Sequence, residues 1–151
     1  MKAKFLIGVL LVLAITVLVI LSIGGQFLVF VDVPTYVLLV LVPAAVAFAS
    51  WPVRDIGRAF SAPFDPGATR KDLEQSKLFF GQLRIWLYST AGFGTMLGLV
   101  GILANMELDS LEHLVGNLGV MLLCVTNAFL FDLLLPLPMA ALAGRRRAEL
   151  E

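Results

Sequence analysis

"NAFLFDLLLPLP", residues 127–138, places Asp132 in a stretch that carries no other charge from Leu114 to Gly144. Whether a carboxylate is tolerable there depends on the medium, because at the centre of a bilayer an ionised one costs about 3 kcal/mol or more. Composition decides the medium. Hydrophobic residues make up 60% of the 151 and the mean hydropathy is +0.96, well above the roughly 45–50% apolar content of soluble domains. Charge-free runs at Phe5–Gln26, Val33–Val53 and Ile85–Met106 each reach the ~20 residues that cross a ~30 Å hydrocarbon core. The Leu114–Gly144 stretch is longer, and as one helix at ~1.5 Å per residue it overshoots a bilayer, so it either projects from one face or bends at Pro136 and Pro138. The expected fold is an all-α integral membrane protein, a single transmembrane domain over 1–151. Its helices are expected near 5–24, 34–53, 85–105 and 115–143, with a short helical connection at 54–84.

Backbone groups in lipid must bond within their own segment, so these runs are helices despite their many β-branched residues. The first run begins after Lys2 and Lys4 like a secretory signal, but its apolar part exceeds the usual ~7–15 residues and no small-x-small cleavage site follows; it reads as a retained helix. With four spans, all eleven basic residues fall on one side: Lys2, Lys4, Arg54, Arg58, Arg70, Lys71, Lys77, Arg84, Arg145, Arg146 and Arg147. The positive-inside rule makes that side cytoplasmic, and with it both termini. The opposite loops carry Asp32, Glu107, Asp109 and Glu112 and no basic residue.

Pro63, Pro66 and Gly67 break the 54–84 connection. Thr69 and Asp72 then form a capping-box-like start to a helix that runs through "DLEQSKLFFGQLRIW" into the membrane, with Leu73, Leu78, Phe79 and Phe80 lying at the interface. In the third span Thr90, Gly94 and Gly98 stand four apart, with Gly101 beyond, a small-residue pattern that lets helix backbones approach closely. That approach serves either packing within the bundle or contact with neighbouring subunits, and spacing alone leaves both open. Arg145, Arg146 and Arg147 form an anchor for anionic headgroups. Cys124, the only cysteine, reads as a small core filler, and His113 as a loop-edge residue. No phosphate loop, nucleophile elbow or set of metal ligands is present. No enzymatic activity, metal, cofactor or nucleic-acid partner is expected.

"GGQFLVFVDVPTYVLLVLVPAAVAFASWPVRDIGRAF" resembles the first half of the flagellar stator A subunit family, the MotA-type proteins related to the ExbB and TolQ proton channels. The matching positions are Gly24–Gly25, the Asp32–Val33–Pro34–Thr35 entry to the second helix and the Trp51–Pro52 exit. The second half is similar at Gly94–Thr95, Gly98–Leu99 and Leu137–Pro138–Met139–Ala140. The resemblance spans roughly residues 20–147. Family members carry a large cytoplasmic domain between the second and third helices where this chain has about thirty residues, so the chain looks like a shortened member.

The resemblance implies a homo-oligomeric ring, a pentamer, in the bacterial inner membrane. Such a ring surrounds a single-span B-type partner of the MotB or ExbD kind, whose transmembrane carboxylate carries a proton or sodium ion. It also implies that Thr95 and Thr126 are hydroxyl sites on the ion pathway; against this, threonines in membrane helices commonly bond their own i−4 carbonyl. The alternative is a non-conducting scaffold with the same packing. At 100° per residue Asp132 lies about 120° around the helix from Thr126, so the two do not share a face. Asp132 reads first as a structural, hydrogen-bonded carboxylate near the inner half of the bilayer, and as the alternative it is a candidate on the ion pathway, an ion-carrying site that replaces the partner's carboxylate. Arg84 or Arg145 reaches it only if it sits shallow.

Overall fold

The computed structural model describes residues 2–22, 24, 30–104 and 111–150, and at 111–117 and 120 the backbone alone. Glu107, Asp109, Gly25 and the side chains of Glu112 and His113 lie outside the described residues. All regular structure among the described residues is helical: α1 Lys2–Ser22, α2 Val33–Ser50, α3 Val53–Ser61, α4 Arg70–Ala104, α5 Leu111–Leu134 and α6 Pro136–Ala148, with one 3-10 turn at Ala62–Phe64. Four helical segments are long and apolar enough to cross a membrane: Lys2–Ser22, Val33–Ser50, Arg70–Ala104 and Met121–Ala148.

Local chemistry sets most of the boundaries. Gly24, at φ +70°, takes the left-handed conformation just past α1, and its amide donates to the Leu21 carbonyl at 3.1 Å, the usual glycine stop. Asp32 caps α2 by accepting from the Thr35 amide at 3.0 Å, with Pro34 in the first turn where its missing N–H costs nothing. α2 ends at Trp51, just before Pro52. The expected start of α4 is a true capping box: the Thr69 amide donates to Asp72 Oδ2 at 2.9 Å and the Asp72 amide donates to Thr69 Oγ1 at 3.2 Å.

The helix that starts after Thr69 continues into the third apolar run as expected: nothing from Arg70 to Ala104 interrupts it, and the second half of the connection is the lower part of a 35-residue rod. The Leu114–Gly144 stretch does bend, at Leu135, which leaves helical geometry (φ −133°, ψ −69°) before Pro136 opens α6. Pro136 has no N–H to give to the previous turn.

α4 is the hub, packing against α2, α3, α5 and α6. Within the bundle, Leu39, Leu87, Ala91, Cys124 and Ala128 form one buried cluster, so Cys124 fills the core as expected. Towards the basic end, Phe60, Phe79 and Phe80 stack edge-on at 5.0–5.8 Å between ring centres. α1 is peripheral, with Ile20 as its one buried side chain. Its first turn is tied down at the basic end, where Phe5 meets Phe64 at 5.4 Å.

A polar cap closes that end. Arg58 on α3 bridges Asp65 at 2.7 Å and Asp72 at 2.9 Å. The Ser76 hydroxyl, fully buried, donates to the Ala59 carbonyl at 2.7 Å and joins α4 to α3. Asp65 is held below its ordinary pKa chiefly by the Gly67 amide and then by Arg58, and Asp72 chiefly by Arg58 and then by Thr69. Depressed folded-state values mean that this stabilisation is complete above the ordinary carboxylate value of 3.8 and is lost as the pH falls through the lowered values. Proteolytic cleavage of the 62–69 turn in detergent should therefore rise as the pH drops below about 4. Arg58→Ala should raise cleavage at neutral pH and flatten its acid dependence.

Candidate functional site: polar groups at membrane depth

Asp132 is only 2% exposed, on the inward side of α5. Arg84 Nε donates to its Oδ1 at 2.8 Å and the Tyr88 hydroxyl donates to its Oδ2 at 2.7 Å. Arg84 and Tyr88 stand one turn apart on α4, so a single helix face delivers both donors. Both carboxylate oxygens are hydrogen-bonded, and the contact with Arg84 is the salt bridge that the sequence allowed only for a shallow position. Two residues to either side of Arg84 along α4, Gln82 and Trp86 line a polar, aromatic recess with Trp51, whose Nε1 donates to Gln82 Oε1 at 2.9 Å. Tryptophans of this kind gather at the membrane–water interface. Arg145 is engaged elsewhere, with Glu149 at 3.4 Å.

The hydroxyl candidates lie apart from this pair. Thr126 is exposed on the outer side of α5 and donates to its own Leu122 carbonyl at 3.0 Å. Thr95 is half-buried on α4 and donates to the Ala91 carbonyl at 2.9 Å. Both spend their proton on the helix, and each oxygen keeps lone pairs to accept from water or an ion. The separation of Thr126 from Asp132 follows the helical wheel, since one faces out and the other in.

Of the small residues, Thr90 is buried. A Cβ on Gly94 would stand 2.5 Å from Leu38 Cδ2 and 2.7 Å from Cys124 Sγ, and one on Gly98 would stand 3.2 Å from Met121 Cγ. Gly94 and Gly98 therefore seat α4 against α2 and α5 of the same chain. Their spacing needs no neighbouring subunit to explain it; Gly101 is exposed. The C-terminal arginines, expected as a headgroup anchor, have partners within the chain. Arg146 Nη1 donates to the carbonyls of Ala62, Pro63 and Asp65 at 3.3, 3.3 and 2.7 Å, and Arg147 pairs with Glu74 at 3.5 Å. They fasten α6 to the cap, while Arg145 is the most exposed of the three.

Sequence reasoning missed Tyr88, Asn127 and the latch made by Arg146. Asn127 is 2% exposed within α5, and its Nδ2 donates to the Phe30 carbonyl at 3.4 Å, bringing the entry of α2 against α5. The spacing of Arg84 and Tyr88 was the available signal for the first.

No protein-family model and no curated protein matches the chain. The likeness to stator A subunits rests on the sequence motifs alone. Among the described residues no three His, Cys, Asp or Glu side chains come together to hold a metal ion.

Removing one partner of the Arg84–Asp132 pair should cost more than neutralising the carboxylate. Arg84→Ala leaves a buried acceptor short of a donor and should lower stability in detergent by about 1–3 kcal/mol. Asp132→Asn, which keeps an acceptor for Tyr88, should cost about 1 kcal/mol or less. Thermal unfolding of the two single variants and the double should show the coupling as non-additivity. Gly94→Leu should destabilise the isolated chain by about 1–3 kcal/mol through overpacking, whatever its oligomeric state.

Proposed function

We propose that this chain is a stator-like membrane subunit of a reduced ion-driven motor or energiser. Five copies form a ring in the bacterial inner membrane around a single-span B-type partner, with both termini and the 54–84 connection cytoplasmic. The partner's transmembrane carboxylate carries the proton or sodium ion. Its change of charge in a low-dielectric surround biases the position of the partner within the ring.

The observation that carries this reading is the outer face of α5. Leu122, Thr126, Phe129 and Leu133 are exposed at i, i+4, i+7 and i+11, a continuous stripe of one helix face. It is apolar except for one hydroxyl, which is the chemistry required of a ring that must let a charged group pass without binding it tightly. The cap supports a reduced role: the connection consists of α3, the 3-10 turn and the lower part of α4 packed against α6, without a separate body to grip a rotor.

A second reading, a non-conducting scaffold, is favoured by the satisfied state of the polar groups. Asp132 has both oxygens engaged, and Thr95 and Thr126 donate to their own helices.

Co-expression with a genomic neighbour that bears one transmembrane helix and an Asp within it separates the two. On the stator reading, native mass measurement gives five chains with the partner bound, and reconstituted vesicles show proton or sodium flux. Thr126→Val then lowers that flux about tenfold or more, as for loss of about 1.4 kcal/mol at the barrier, with the assembly intact. A monomer, or an assembly that passes no ion, sinks it.

A further inference from the structure

Between α2, α3, α4 and the α5–α6 junction lies an open groove of about 450 Å³, a volume within the roughly 300–1,000 Å³ of ordinary ligand sites. Every side chain lining it is apolar, among them Val40, Ala44 and Phe48 of α2, Phe60 of α3 and Leu134 and Leu135 near the helix break. The Asp132–Arg84–Tyr88 group is not part of the lining. Two backbone irregularities frame it, Pro43 inside α2 and Pro136 after the break at Leu135.

That chemistry restricts the occupant. Water, an ion or a polar metabolite would find no hydrogen-bonding partner, and each polar group left unpaired there costs several kcal/mol. A hydrocarbon chain has none to satisfy. The mouth faces the surrounding medium at Val40 and Phe48, which are 52% and 62% exposed, and around a membrane-spanning helix that medium is lipid. The groove ends at α3, a short helix with Ile56 and Phe60 on the groove side and the exposed Arg54 in its first turn beside Asp55, while Arg58 is held in the cap by Asp65 and Asp72. An exposed guanidinium at the end of an apolar slot is complementary to an anionic headgroup joined to an acyl chain.

We propose that this groove is a lipid site, holding one acyl chain of an anionic phospholipid from the leaflet on the basic side of the protein. The site belongs to the single chain and does not depend on ring formation or ion flux.

The test uses the full chain in vesicles of phosphatidylethanolamine and phosphatidylglycerol, the latter carrying a diazirine at mid-chain. After illumination, labelled peptides should map to residues 40–48 and 131–136 in clear excess over α1, whose side chains are almost all exposed. After mild extraction, native mass measurement should find one phosphatidylglycerol retained per chain. Ala44→Phe, which fills the groove, should reduce that retention about tenfold, while Ala45→Phe, on the exposed side of the same helix turn, should leave it unchanged. Labelling spread evenly over α1 and the groove would show ordinary boundary lipid and overturn the proposal. So would a lipid-free chain whose groove is covered by a second copy, seen as an oligomer that Ala44→Phe dissociates. If Ala44→Phe fails to fold, the labelling pattern of the unaltered chain decides alone.

Discussion

A charge cannot be left alone in a medium that does not solvate it, and Asp132 imposes that condition on the whole bundle. Its two oxygens require two donors, and α4 supplies both from one face through Arg84 and Tyr88. Meeting this demand sets the rotation of α5 against α4 and their relative height. Gly94 and Gly98 can then come close to Cys124 and Met121, and the outer stripe through Thr126 is left turned away from the core. The position of the pair beside the Trp51–Gln82 contact places this constraint at the edge of the apolar zone. There a guanidinium can keep part of its surface in a polar environment.

The spans, the capping box at Thr69 and the Asp32 entry to α2 were legible from sequence, because each depends on residues within one turn or one apolar run. The bend after Leu134 was legible as one of two options, since proline states that a helix is disturbed without saying where the chain recovers. The partner of Asp132 was legible only as a choice between Arg84 and Arg145, conditional on depth. Arg84 lies 48 residues away, and only the packing of α4 on α5 brings them together. Arg146 was unreadable for a related reason: it binds backbone carbonyls, which have no signature in the sequence, and so a run of arginines next to a membrane looks like a headgroup anchor and nothing more. The glycine spacing announced close approach, but the identity of the approaching helix depended on tertiary packing.

The polar cap and the apolar groove show how little chain is needed to finish the basic end. Nine residues of α3 and one 3-10 turn cover the lower part of α4, pinned by Arg58, Ser76 and Arg146. The same short helix leaves its apolar side over a space that the four spans do not fill. Closing the polar groups took precedence over filling the volume, as the energies require: an unpaired buried carbonyl or hydroxyl costs about 1–3 kcal/mol, whereas an apolar slot beside lipid can be filled by lipid.

The unbroken length of α4 turns the Arg84–Asp132 contact into a fulcrum. From Arg84 the rod extends 14 residues to Arg70 on one side and 20 to Ala104 on the other, arms of roughly 21 and 30 Å at ~1.5 Å per residue. A tilt about that point moves the two ends in opposite directions, in a ratio of about two to three by the same rise per residue. A rigid tilt that displaced the cap, where α3 and α6 grip the shorter arm, would therefore be larger at the Ala104 end of the rod.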